Sequence, residues 1–119
     1  MSTPSATLAS RTAQRELCDG ILNAYMETTS GRYASGTVRS KCTAVRRFLT
    51  WCRTEHVDPL VATPEDADRF VGMLDRSMSK LTIREYRCNV RVFLRWLQLQ
   101  MAIHLIETGG DEDPSAMFV

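Results

Sequence analysis

A chain of 119 residues with 15 Lys and Arg against 14 Asp and Glu, a net charge of +1, is long enough for one domain. Hydrophobic residues make up 44% and charged residues 24%, a balance that excludes wholesale disorder. No apolar run approaches the roughly 18–20 residues of a membrane span, and residues 1–15 lack the apolar stretch of a secretory signal.

Residues 1–11, with Pro4 and several small polar residues, read as a flexible tail. Their Ser, Thr and Arg content, with no acid before Glu16, is loosely like an organelle transit peptide, but a disordered leader is the simpler reading. From about Thr12 to Thr29, Leu17, Cys18, Ile21, Leu22, Tyr25 and Met26 recur at helical spacing, interrupted by Gly20. Ser30-Gly31-Arg32 is expected to stop this helix, with Gly31 in the left-handed conformation. A second helix is expected from Gly36 to about His56, with Ser35 as its N-cap and Asp58-Pro59 as the break. Thr63-Pro64-Glu65-Asp66 is a start signal for a third, running to about Arg76: a capping hydroxyl, a proline at the first position, and acids near the positive end of the dipole. The fourth runs from about Lys80 to Ile103, capped by Ser77 or Ser79. Gly109-Gly110 and the acidic stretch to Pro114 are expected to end the ordered part. No segment alternates with period two, so the fold class is all-α, a compact four-helix bundle. The domain proper covers residues 12–105, and residues 106–119 form an acidic linker or tail.

The second and fourth helices repeat each other at a constant offset of 45 residues. Thr37-Val38-Arg39 matches Thr82-Ile83-Arg84, Val45-Arg46 matches Val90-Arg91, Phe48-Leu49 matches Phe93-Leu94, and Trp51 matches Trp96. At about 100° per residue, Ile83, Tyr86, Val90, Phe93, Leu94, Leu97 and Met101 share an arc of about 100°, the core face of the fourth helix. Val38, Cys42, Val45, Phe48, Leu49 and Cys52 do nearly the same on the second, with Lys41 snorkelling from the edge. Both tryptophans fall off these arcs, where they either pack on the first helix, the third or a neighbouring subunit, or stay exposed as interface anchors.

Beside each apolar arc lies a basic stripe. Lys80, Arg84, Arg87, Arg91 and Arg95 fall within roughly 80° of one another on the fourth helix, and Arg39, Arg46 and Arg53 take the equivalent place on the second. Only Glu85 interrupts the first of these along its own helix. From Arg32 to Gln100 there are 13 cations and seven anions, a local charge of +6, against −1 in residues 1–31 and −4 in residues 101–119. A solvated helix surface is the plain explanation of one stripe; two in the same register favour a polyanion site. The cations are mostly arginine, whose planar fork suits phosphates and the guanine edge.

The arrangement resembles the N-terminal, SAM-like core-binding domain of tyrosine recombinases, the lambda-integrase family of phage integrases. In that family two similar helices open on a Thr-Val/Ile-Arg motif and close on Phe-Leu-x-Trp, as Ser35 to Trp51 and Lys80 to Trp96 do here. Leu60 to Val71 is similar to the family's intervening helix, and Asp113-Pro114-Ser115-Ala116 to its entry into the linker before the catalytic domain. The resemblance covers about residues 14–116 and rests on the order and spacing of four segments. It implies a DNA-binding module for DNA recombination and integration, placed in the cytoplasm (on the nucleoid, or in the nucleus of a eukaryote), that associates with other recombinase subunits on duplex DNA. It implies Thr37, Arg39, Lys41, Arg46, Arg53, Lys80, Thr82, Arg84, Arg87, Arg91 and Arg95 as the DNA-binding set. The recombinase nucleophile and its partners belong to the catalytic domain, so no catalytic residue, cofactor or metal is assigned here; Tyr25 and Tyr86 lie on apolar faces and Tyr33 in a loop.

Other readings are thinner. Cys52-x3-His56 has ligand-like spacing, but Cys88 and His104 are sixteen apart. None of the four cysteines forms a Cys-x-x-Cys pair, and all are read as reduced thiols, mostly core-facing. Asp66 and Asp68 read as first-turn acids of the third helix. A protein-interaction module anchored on exposed Trp51 and Trp96 is the main alternative, and a stand-alone helix-turn-helix regulator with one recognition helix the second.

Overall fold

Helix boundaries follow from local hydrogen bonding in the computed structural model, which describes residues 4–74 and 76–118. α1 spans Pro4–Ser30 and so begins well before Thr12. Residues 4–11, expected as tail, continue the helix; residues 1–3 lie outside the described residues. Its end is not a left-handed glycine, since Gly31 has no positive φ. Instead the hydroxyls of Thr28, Thr29 and Ser30 donate to the carbonyls of Ala24, Tyr25 and Met26, at 3.0, 2.9 and 2.7 Å. The Thr29 carbonyl then accepts the N–H groups of Arg32 and Tyr33, both at 3.0 Å, which closes the turn.

α2 spans Ser35–Thr54. Ala34, not Ser35, is its N-cap, with no side-chain cap bond, so Ser35 is the first helical residue. The helix stops at Thr54, short of His56, because the Val57 N–H turns back to the Cys52 carbonyl at 2.8 Å. That closure holds His56 at φ 58, the left-handed position usually taken by glycine. A 3-10 turn, Pro59–Val61, leads to α3, Pro64–Gly72. Thr63 and Asp66 form the expected capping box: the Asp66 N–H donates to Thr63 Oγ1 at 3.3 Å and the Thr63 N–H to Asp66 Oδ2 at 2.9 Å. Such a cap contributes roughly 1 kcal/mol. α3 ends before Arg76 because the N–H groups of Met73 and Leu74 tighten onto the carbonyls of Phe70 and Val71, three residues back.

α4 spans Lys80–Thr108 and runs past Ile103 until Gly109 takes φ 66. Of the two candidate caps, Ser79 serves, accepting the Thr82 N–H at 3.1 Å. Gly109 and Gly110 end α4 but not the ordered chain. A second 3-10 segment, Pro114–Phe118, folds back on α1 and α4 and buries Phe118. Gly20 explains itself here: a Cβ at that position would collide with the Phe118 carbonyl.

The result is an all-α bundle, with no strand among the described residues. α2 packs on both α1 and α4, and α3 packs on α4. Val45, Phe48, Val90, Phe93 and Leu97, all from the two apolar arcs, are 1% exposed or less. Phe48 and Phe93, equivalent in the repeat, meet at 6.4 Å between centroids. Each then stacks on its own tryptophan: Phe48 on Trp51 at 5.8 Å, Phe93 on Trp96 at 6.1 Å. Of the arrangements open to the tryptophans, the structure has the packed ones, Trp51 on α3 and Trp96 on α1. Trp51 is 8% exposed, roofed by Phe70 of α3, and donates its indole N–H to Met73 Sδ at 3.1 Å. Trp96 is half-buried against Tyr25 of α1. The arc drawn on one helix omits the neighbours that flank it.

Candidate nucleic-acid interface

Every cation of the α4 stripe is exposed: Lys80, Arg84, Arg87, Arg91 and Arg95. Two of them are not free. Arg91 Nη2 donates to both carboxylate oxygens of Asp68, at 3.0 and 3.1 Å, and Arg87 Nε lies 3.5 Å from Asp68 Oδ1. Glu85 is thus not the only acid beside the stripe. Asp68 is no mere first-turn acid either; it reaches from α3 across to α4. Asp66 keeps the helix-start role and also holds Arg69 at 3.2 Å. All three members of the Asp68 cluster are about half exposed, so each pair contributes roughly 0–1 kcal/mol, and a competing anion displaces it at small cost. Lys80, Arg84 and Arg95 make no ion pair among the described residues.

On α2, Arg39 and Arg46 are exposed and also without ion pairs among the described residues, while Arg53 is half-buried. The Arg53 charge acts on the buried Cys18 thiol of α1, whose pKa is raised by burial first and partly lowered by that guanidinium. Lys41 snorkels as expected, with Nζ 5.0 Å from the Tyr33 ring centroid and 3.5 Å from Asn89 Oδ1 of α4. Arg47, outside the expected set, lies 5.6 Å over the Tyr86 ring.

Between α2 and α4 opens a shallow cleft of about 280 Å³, with Arg39, Ser40 and Thr43 on one wall and Thr82, Glu85 and Asn89 on the other. It brings together Arg39 and Thr82. Thr82 sits in the first turn of α4, its hydroxyl 2.8 Å from Ser79 Oγ. Thr37 is exposed in the first turn of α2 and does not line the cleft. On α4 the centre of the cleft wall lies about 150° from the centre of the arginine stripe, as the helical turn requires. The expected residues therefore do not gather on one surface. One group borders α3, one lines the α2–α4 cleft, and the α2 stripe runs from the cleft rim at Arg39 toward α1 at Arg53.

Other chemistry finds little to work with. No group of three or more His, Cys, Asp or Glu among the described residues could hold a metal ion. Cys52 is fully buried, and burial pushes its thiol up to about 12. Tyr25, 3% exposed and wedged against Phe93 and Trp96, is likewise pushed up to about 12 by burial. No helix among the described residues is long and apolar enough to cross a membrane. Comparison with protein-family models, curated proteins and solved structures found no match to this chain.

Proposed function

We propose that this chain is a DNA-gripping module of the tyrosine-recombinase core-binding type, which holds duplex DNA without catalysing strand transfer itself. The observation that carries the reading is the repeat. Two helices with the same motif pack together through equivalent phenylalanines, each backed by its own tryptophan, and both present arginines without ion pairs among the described residues. The α4 stripe is the principal grip, with Lys80, Arg84 and Arg95 ready to meet phosphates and Arg87 and Arg91 joining them once a phosphate displaces Asp68. The cleft with Arg39 and Thr82 is a second contact on the far flank of α4. Assembly with further subunits on the DNA belongs to the same proposal.

Fluorescence anisotropy with a labelled duplex of 20–30 base pairs tests it. About six phosphate contacts give a slope near −5 for log K against log salt, or roughly a thousandfold loss of affinity between 50 and 200 mM. Arg84→Ala weakens binding several-fold, whereas Arg69→Ala, whose guanidinium is already held by Asp66 and lies over Trp51, leaves it unchanged. Asp68→Asn removes the carboxylate that competes for Arg87 and Arg91 and tightens binding. A flat salt dependence, or equal effects of Arg84→Ala and Arg69→Ala, defeats the proposal.

A further inference from the structure

Beside its cations, α4 carries an apolar stripe that the fold does not use. Leu81, Cys88, Val92 and Leu99 are all exposed, with Leu81 at 64% and Leu99 at 57%. At about 100° per residue they fall within an arc of about 40°. The centre of that arc lies about 80° round the helix from the centre of the stripe formed by Lys80, Arg84, Arg87, Arg91 and Arg95. The two stripes run side by side, over about 22 Å from Lys80 to Arg95 and about 27 Å from Leu81 to Leu99. No acid stands between them, for Glu85 lies beyond the far edge of the apolar arc. A continuous exposed stripe of this kind marks an interaction surface.

The one-sidedness of the charge says which partner. A bilayer wets both flanks of a helix whose apolar stripe it covers, and favours cations on both. Here the second flank holds Glu85, Asn89 and Thr82, and every cation of α4 lies on the first. A duplex offers phosphates to the cations but keeps its base faces stacked inside, which leaves the aliphatic stripe uncovered. An unpaired strand is itself two-edged, with phosphates along one edge and free base faces along the other. Successive cations of the stripe stand about 4.5–6 Å apart along the helix axis, a spacing that lets an extended strand set one phosphate beside each.

We infer that α4 takes an unpaired nucleic-acid strand lengthwise, with its phosphates on the cation stripe and its base faces over Leu81, Cys88, Val92 and Leu99. The inference rests on the reading of this chain as a DNA binder and adds the strand form that α4 grips. Arg87 and Arg91 join the grip when a phosphate takes the place of the half-exposed Asp68 carboxylate. Aliphatic side chains and a thiol meet the face of any base, so the grip is indifferent to sequence. One phosphate per cation makes about five contacts on a single strand, which sets a slope of about −3.5 for log K against log salt.

Fluorescence anisotropy of the whole chain tests the inference, with three labelled probes of about 15 nucleotides: oligothymidylate, the same strand paired to its complement, and an abasic strand. The expected result is salt-dependent binding of the oligothymidylate, with the abasic strand held several-fold more weakly. The Leu81→Ser, Leu99→Ser double variant is expected to weaken the oligothymidylate several-fold and to leave the duplex unchanged. Both positions are exposed, and circular dichroism verifies that the variant keeps its helix content. Arg84→Ala weakens strand and duplex alike. Duplex binding without binding of the oligothymidylate, or an abasic strand held as tightly as the oligothymidylate, overturns the inference and leaves the DNA reading standing. The absence of salt-dependent binding to any of the three probes overturns both. Phosphatidylserine vesicles supply the last arm: uptake that the double variant loses, without base-dependent strand binding, assigns the stripe to a bilayer and overturns the inference.

Discussion

Replacing Gly20 by alanine sets two well-characterised effects against each other. In an exposed helix the change stabilises by about 1 kcal/mol, because glycine is the poorer helix former. Here the new Cβ meets the Phe118 carbonyl, so the C-terminal 3-10 segment has to leave its seat on α1 and α4. Phe118 is 9% exposed in that seat, and a buried phenylalanine is worth about 1.5–3 kcal/mol. The balance is a net destabilisation of about 0.5–2 kcal/mol. Urea unfolding followed by far-ultraviolet circular dichroism measures it, and the Phe118 amide resonance should move toward its random-coil position. Phe118→Ala supplies the control. With the docking already weakened, Gly20→Ala in that background should change sign and stabilise by up to about 1 kcal/mol. If Gly20→Ala stabilises the otherwise unaltered chain and the Phe118 resonance stays in place, the reasoning is refuted.

Two further outcomes concern buried acids and a strained turn. Burial raises the Cys52 thiol from about 9 and the Tyr25 phenol from about 10, each to about 12. The folded state therefore holds these protons longer than the unfolded chain, and the stability they contribute is complete below pH 9 and lost as pH rises toward 12. Each group lowers stability by about 1.4 kcal/mol per pH unit once its unfolded form ionises. Urea midpoints should be level between pH 7 and 8.5 and fall steeply by pH 10.5, and Cys52→Ala should make the first part of the fall shallower. His56 occupies a left-handed position at φ 58, so His56→Gly should raise stability by about 1 kcal/mol in the same assay; a loss would mean that the imidazole makes contacts worth more than the backbone strain.

Much of the fold is legible because its helices are amphipathic with regular period. Val45, Phe48, Val90 and Phe93 are buried where the arcs place them, and Thr63-Pro64-Glu65-Asp66 starts a helix by the bonds its side chains allow. That reasoning leaves Trp51 open between packing and exposure, because no one-helix projection contains α3, which covers that flank of α2. Asp68 escapes it for a related reason: its partners Arg87 and Arg91 are 19 and 23 residues away, a separation that no helical repeat encodes. The dispersal of the eleven basic and hydroxyl residues over three surfaces has the same origin. Equal registers on two helices give one shared face only if the helices lie side by side in the matching rotation. One signal was in the sequence and unread, namely Gly20 in mid-helix, which marks a close backbone approach.

The contact between Trp51 and Met73 gives the molecule a sensitivity to oxidants. Met73 is 65% exposed while the indole it serves is nearly sealed, so of the two side chains the methionine is the one an oxidant meets first. Oxidation converts a weak thioether acceptor into a sulfoxide oxygen, a far stronger partner for the same N–H. The usual penalty of methionine oxidation, a polar group forced into an apolar core, is small at this position, because Met73 is a largely exposed residue and its sulfur already accepts a hydrogen bond. A chain oxidised at Met73 keeps its fold and ties the end of α3 more firmly to α2, with a change in Trp51 emission as the visible record of the event.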